Sequence, residues 1–328
     1  MNLQITREPT PHPTGKFENP DLTAKGEPRA VVGLHQLETL WFNTGTLCNI
    51  ECANCYILSS PTNDSLVYLS TGEVVAFLDE IKRDGHATRE IAFTGGEPFM
   101  CPDMLDILEE TLARGFQTLV LSNAMQPMQR PRIKEGLLRL AERYRDQLLL
   151  RISLDHYDQP LHEQERGAGT WAKALAGIDW LNENGLQIAI AGRTCWNEDD
   201  DSSRNGYRGL IADRGWRIDA DDRDRLVLLP EMQPEADVPE ITTACWSILG
   251  KRPRDVMCAT SRMVVKRKGA DRPTVLPCTL IAYESAFDGG ATLAEAFARD
   301  GGMYRDGAVK LCHVNCATFC VLGGGCCS

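Results

Sequence analysis

The sequence predicts an α/β fold: a partial (βα)6 barrel of the TIM type followed by a smaller cysteine-rich domain. Three observations carry that expectation: six short apolar runs rich in β-branched or aromatic residues, helical periodicity between them, and cysteines crowded toward the C-terminus. The runs are residues 38–43, 90–94, 116–122, 148–154, 186–192 and 225–230. Between them, 71–85, 101–115, 131–147 and 170–185 carry apolar residues at three- and four-residue spacing. Three of these stretches end at Gly85, Gly115 and Gly185, the residue type expected where a helix stops with positive φ. Parallel neighbours need a crossover connection, so successive βα units imply a parallel sheet. Six units fall short of the eight that close a complete barrel, which leaves a partial barrel or, as the competing arrangement, a doubly wound sheet.

The flanks read differently. Residues 1–37 hold five prolines without sustained periodicity and are expected to form an extended arm. The alternation fades at about residue 232, where PEMQPEADVPE places three prolines and four acidic residues in eleven positions. The boundary belongs there, with a core over 38–232 and a second domain over 233–328.

Composition narrows the classes of function. Thirty-five Lys and Arg against 46 Asp and Glu give a net charge of -11, which argues against a nucleic-acid partner. No apolar run approaches the roughly 18 residues that span a bilayer, so an integral membrane protein is excluded. The segment MNLQITREPTPHPTGKFENP has no apolar stretch behind its charges, which makes a reducing cytoplasm the expected location. In that setting thirteen cysteines read as metal ligands or redox groups. The composition leaves oligomeric state open.

Cys48, Cys52 and Cys55 follow the first strand at spacings of three and two intervening residues. Three thiols so close together need a shared partner. Structural zinc wants four ligands, yet no Cys or His lies within 30 residues downstream, and upstream only His35 is near. A cluster with three thiolates and one open iron fits better, because an incomplete shell keeps a position for substrate.

Cys-x3-Cys-x2-Cys after the first strand, followed by AFTGGEPF at the end of the second, resembles the radical S-adenosylmethionine (radical SAM) superfamily. The resemblance covers roughly residues 38 to 230. It departs from the usual pattern at Asn54, where an aromatic residue or His often precedes the last cysteine, with Tyr56 one place beyond. It implies a 4Fe-4S cluster on Cys48, Cys52 and Cys55, with SAM on the fourth iron. Gly95, Gly96, Glu97 and Pro98 match the segment that meets the methionine amino group. By the same analogy Ser153 bonds the ribose or carboxylate, Arg193 pairs with the methionine carboxylate, and Asn123 and Asp155 join the cofactor site with Tyr56. Every one of the strand-end candidates, Ser122 and Asn123, Ser153 and Asp155, and Arg193, falls where α/β sheets place ligands. Each also has a plainer reading, since Ser122 and Asn123 suit a helix cap and Asp155 a turn.

Downstream, Cys258, Gly269 and Cys278 precede LCHVNCATFCVLGGGCCS. The pattern resembles the twitch or SPASM extension, which implies one auxiliary 4Fe-4S cluster, with a second left open. Two strand-like runs flanking a Lys-Gly-Ala-Asp turn bring Cys258 and Cys278 together. Candidate ligands are Cys258, Cys278, Cys312, Cys316, Cys320, Cys326 and Cys327, with Cys245 a further thiol; the favoured set is Cys258, Cys278, Cys312 and either Cys316 or Cys320. The vicinal Cys326 and Cys327 suit a second cluster, a substrate contact or a redox pair. HEQERGAG (162–169) resembles a segment that many family members have between the fourth strand and its helix, with solvated surface charge as its plainer reading, and NEDDDSSRNG and DADDRDR read as solvated loops.

The resulting expectation is a radical SAM enzyme that takes a hydrogen atom from a small molecule, with an auxiliary cluster for substrate anchoring or electron transfer. It draws on an external one-electron reductant such as flavodoxin or ferredoxin. The alternatives are a peptide maturase of the same superfamily and a non-catalytic iron-sulfur carrier, the latter disfavoured because electron transfer has no need of GGEP.

Overall fold

Each run expected as a strand forms one. A computed structural model describes residues 15–230 and 237–323 and divides them into two units, one of residues 42–78 and 89–230, the other of residues 15–41, 79–88 and 237–323. In chain order the elements begin with β1 (Val31–Val32), β2 (Thr39–Asn43), α1 (Thr71–Arg83), β3 (Glu90–Thr94), α2 (Met104–Ala113) and β4 (Gln117–Ser122). They continue with α3 (Gln126–Gln129), α4 (Pro131–Tyr144), β5 (Leu148–Ser153), α5 (Gln159–Arg166), α6 (Thr170–Glu183), β6 (Gln187–Arg193), α7 (Asp200–Arg214) and β7 (Leu226–Leu229).

The first unit is the partial barrel. Strands β2 to β7 are neighbours in sequence order, and β3 to β7 pair in parallel with registers such as Phe93↔Val120, Leu150↔Ile188 and Gly192↔Leu228. Parallel strands are covered on both faces, hence their near-continuous apolar runs; Phe93, Val120, Leu150, Ile152 and Ile190 are buried. Two helices depart from the sequence expectation. NEDDDSSRNG is not a solvated loop, because it opens α7: the Asp199 carboxylate accepts from Ser202 N at 2.7 Å, and Asp200 and Asp201 lie in the first turn, where negative charge suits the helix dipole. HEQERGAG supplies the C-terminal half of α5 and is partly buried, with His162 and Glu165 facing inward.

The second unit adds α8 (Cys245–Leu249), β8 (Ser261–Val265), β9 (Thr274–Leu276), α9 (Leu293–Phe297), β10 (Tyr304–Arg305), β11 (Ala308–Lys310) and a π-helix over Cys316–Leu322. β8 and β9 form the expected antiparallel hairpin, register Met263↔Leu276. β1, β11 and β10 make a small antiparallel sheet, Val31 opposite Lys310 and Tyr304 opposite Val309. Glu80 accepts from Leu293 N and Ala294 N, both at 3.0 Å, and so satisfies the first N–H groups of α9.

Residues 15–37, the described part of the expected extended arm, are held in this unit by buried charge. Arg29 and Glu240 pair at 2.5 Å with side chains 1% and 5% exposed. Arg29 also donates to the carbonyls of Asn19, Leu22 and Leu311, while Glu240 accepts from Phe17 N and Ala24 N. Removing one partner of such a pair leaves a buried charge uncompensated. Glu240→Ala should therefore lower unfolding free energy by about 3–5 kcal/mol in urea titrations followed by circular dichroism; a loss below 1 kcal/mol would place the pair in solvent.

Candidate cluster and cofactor site

Two backbone segments meet where the thiols begin. After β2 the chain turns through residues 44–47, and after β3 through 95–97. Gly96 N donates to Gly45 O at 2.8 Å and Glu97 N to Leu47 O at 3.2 Å. A Cβ on Gly96 would lie 2.2 Å from Leu47 O, and one on Gly95, whose φ is +147°, 2.6 Å from Gly45 O. Both glycines thus serve the close approach of the cysteine-bearing loop.

Glu97 is buried and ties the strand ends together. Its carboxylate accepts from Ser122 Oγ and Asn123 N, each at 2.9 Å, and from Phe99 N at 3.3 Å. Burial pushes its pKa up to about 7 against the pull of these donors. Asn123 reaches the thiols directly: Nδ2 stands 3.9 Å from Cys48 Sγ and donates to Asn49 Oδ1 at 2.9 Å. Burial raises the Cys48 thiol to about 12. It also raises Cys52, which Arg166 opposes. Cys55 Sγ accepts from Ser59 N at 3.2 Å.

On the far side of the loop lies a charge network absent from the sequence reading. Asp155 receives Arg166 through both oxygens, at 2.7 and 3.0 Å, and Arg193 Nε at 3.7 Å. Burial opposes the Asp155 charge, but the two guanidinium groups outweigh it and hold the carboxyl below its ordinary range. Glu165 accepts from Asn54 Nδ2 at 2.9 and 3.2 Å, and its carbonyl accepts from Ala53 N at 2.8 Å. Asn54, the departure noted in the motif, is thus a clamp between α5 and the cysteine loop. Arg193 Nη2 donates to Asn54 O at 2.5 Å and its guanidinium lies 4.6 Å from the Tyr56 ring centroid. Tyr56 OH donates to Pro230 O at 2.5 Å, beyond the end of β7. Arg193 Nη1 is buried and lacks a hydrogen bond. Ser153 is half-buried at the end of β5.

The structure therefore brings Cys48, Cys52, Cys55, Gly95 to Glu97, Asn123, Asp155 and Arg193 to one end of the parallel sheet. Sequence reasoning missed Glu165 and Arg166 and gave Asn54, noted only as a departure from the motif, no role. The available signal was that His162 and Glu165 stand three apart, one face of a helix.

In the second unit one apolar cavity is lined by Cys258, Cys278, Cys316 and Cys320, with Ile281 and Leu311 among its walls. Cys312, in the favoured set, is not among the lining residues: its thiol donates to Phe17 O at 3.0 Å and Asn19 O at 3.4 Å. Cys245 lies against Thr242. Cys326 and Cys327 lie outside the described residues. The donor sets suit iron-sulfur clusters: all-thiol, with no carboxylate or imidazole among the residues lining the cavity. Among the described residues no three Cys, His, Asp or Glu draw together around one point as for a single ion. Among the described residues, also, no helix is long and apolar enough to cross a membrane.

Residues 42–202 match the Radical SAM superfamily. This segment is a radical SAM domain. It is 30% identical over 145 residues to the antilisterial bacteriocin subtilosin biosynthesis protein AlbA of Bacillus subtilis, covering 44% of this chain and 30% of AlbA. It is 26% identical over 147 residues to the AdoMet-dependent heme synthase of Oleidesulfovibrio alaskensis, 44% of this chain and 34% of that protein. The match thus spans about a third of the curated relatives' length. Among solved structures, Streptococcus suis SuiB bound to S-adenosylmethionine superposes with a TM-score of 0.60 at 13% identity, over 82% of this chain and 67% of SuiB. SuiB bound to its precursor peptide SuiA gives 0.58 at 12% identity, over 81% and 66%. These superpositions establish a shared partial-barrel fold.

Two predictions follow from the geometry. Gly96→Ala forces Leu47, and with it the loop to Cys48, to move; reconstituted protein should retain less than half the wild-type iron of the first site by metal analysis, and full retention would refute the close-approach role. His162 is buried, its ring 5.4 Å from Trp171, with neither nitrogen hydrogen-bonded, and burial pushes its pKa down to about 4. The unfolded chain protonates it near 6.5, so its neutral form supports folding fully above pH 6.5 and that support is lost as pH falls toward 4. His162→Phe should remove about 2 kcal/mol of the stability lost between pH 7 and 4.5, measured as the difference between urea midpoints; parallel pH profiles would contradict the assignment.

Proposed function

We propose that this chain reductively cleaves S-adenosylmethionine and takes a hydrogen atom from a substrate. The observation that carries the reading is that the loop bearing the three cysteines is seated on the glycine backbone at 95–97, beside the polar ends of β4, β5 and β6. When bound, a 4Fe-4S cluster on Cys48, Cys52 and Cys55 with SAM on its open iron supplies one-electron cleavage of the carbon–sulfur bond, yielding methionine and a 5′-deoxyadenosyl radical.

The chain's own residues do the positioning. Asn123 points its amide at Cys48 Sγ and favours the thiolate over the thiol. Arg166, held by Asp155, acts on the Cys52 thiol in the same sense. The unbonded Nη1 of Arg193 is the donor we assign to the methionine carboxylate, with Ser153 serving the ribose or carboxylate. Cys258, Cys278, Cys316 and Cys320 are assigned to one auxiliary 4Fe-4S cluster; with four thiols it has no open iron, which suits electron transfer better than substrate anchoring. The electron entering the first site comes from an external one-electron reductant of the flavodoxin or ferredoxin kind.

The substrate is read as a small molecule. A peptide is the second reading, favoured by the likeness to AlbA, a bacteriocin biosynthesis protein, and to SuiB, solved with a precursor peptide. Anaerobic incubation of iron-replete protein with SAM and dithionite should release 5′-deoxyadenosine, quantified by chromatography. Cys52→Ala should cut that release at least 100-fold with unchanged circular dichroism. Failure of iron-replete wild-type protein to release it would favour the electron carrier, and equal release from the variant would remove Cys52 from the site.

A further inference from the structure

Arg262, in β8, is 1% exposed and ranks among the largest fully buried side chains. Its Nη1 donates to the carbonyls of Cys258 at 2.6 Å and Ser261 at 2.7 Å. Nε and Nη2 have no hydrogen-bond partner, and no carboxylate pairs with the group among the described residues. The Phe297 ring lies 5.9 Å from the guanidinium carbon. A cation–π contact at that distance repays less than the burial of an unpaired ion costs. Arg262 Nη1 sits on the carbonyl of Cys258, and Cys258 lines the four-thiol cavity together with Cys278. As free thiols they are neutral; as cluster ligands they are thiolates, part of an assembly whose net negative charge grows on reduction.

We propose that Arg262 is the fixed counter-charge of a cluster held by Cys258, Cys278, Cys316 and Cys320, and that it raises the reduction potential of that cluster. The inference rests on the reading of the second cysteine set given above. A cation beside a redox centre stabilises the more negative, reduced state, and in a dry cavity the effect is little screened. Arg262 is in this sense a positioning residue for charge and makes no contact with substrate.

The test uses full-length, anaerobically reconstituted protein in a Cys52→Ala background, where the remaining iron belongs to the second set, with redox titration monitored by electron paramagnetic resonance. Arg262→Met keeps the bulk and removes the charge; Arg262→Lys keeps the charge. At the parent's midpoint, Arg262→Met should lower the ratio of reduced to oxidised cluster about tenfold, 59 mV for a one-electron couple, while Arg262→Lys stays within about threefold. Iron lost from the Met variant and kept by the Lys variant would also support the assignment. Retained iron with an unmoved potential in Arg262→Met would overturn it, as would equal loss of iron from both, the mark of a mere strap on the Cys258 turn. A Cys52→Ala parent without cluster iron would instead defeat the underlying reading of the cysteine set, an outcome distinct from either.

Discussion

The first site depends on main chain lying against main chain. The amides of Gly96 and Glu97 donate to the carbonyls of Gly45 and Leu47 at a separation that leaves no room for a β-carbon, so the loop carrying the thiols is seated on the end of β3. From that seat the rest follows by short steps. Glu97 reaches across to Ser122 and Asn123, and Asn123 reaches back to Cys48. A closed circuit of this kind orients a thiol through groups that are themselves oriented, which is what a preorganised metal site asks of its surroundings.

Charge buried beside the thiols supplies the second constraint. Asp155, Arg166, Arg193 and Glu165 are ionisable groups in a region largely shut off from water, and each has at least one partner of opposite sign within 4 Å. In low dielectric such groups are costly alone and tolerable together. The arrangement leaves Arg193 Nη1 without a hydrogen bond, an incomplete shell in the protein that a ligand can complete.

Much of this was legible in the sequence and some was not, for identifiable reasons. The strands announced themselves because parallel strands buried on both faces read as unbroken apolar runs, and the thiol motif and GGEP needed only their spacing. Helix α5 was hidden because its buried residues, His162 and Glu165, are polar and mimic a solvated stretch. Helix α7 was hidden because its cap and first turn are acidic, which marks a loop as readily as a helix start. Among the later cysteines, Cys312, Cys316 and Cys320 are evenly spaced, so spacing cannot choose between them. In the fold Cys316 and Cys320 lie in one helical segment and share a cavity, whereas Cys312 precedes it and turns to the carbonyls of Phe17 and Asn19.

The guanidinium of Arg29 spans 282 positions of sequence to reach the carbonyl of Leu311. On a ribosome adding about 5–20 residues per second, the stretch around Arg29 emerges roughly 15–60 s before the strand-end backbone it will grip. Throughout that interval the nascent chain lacks this acceptor, and the unit reaches its final form only once the backbone around Leu311 has been made.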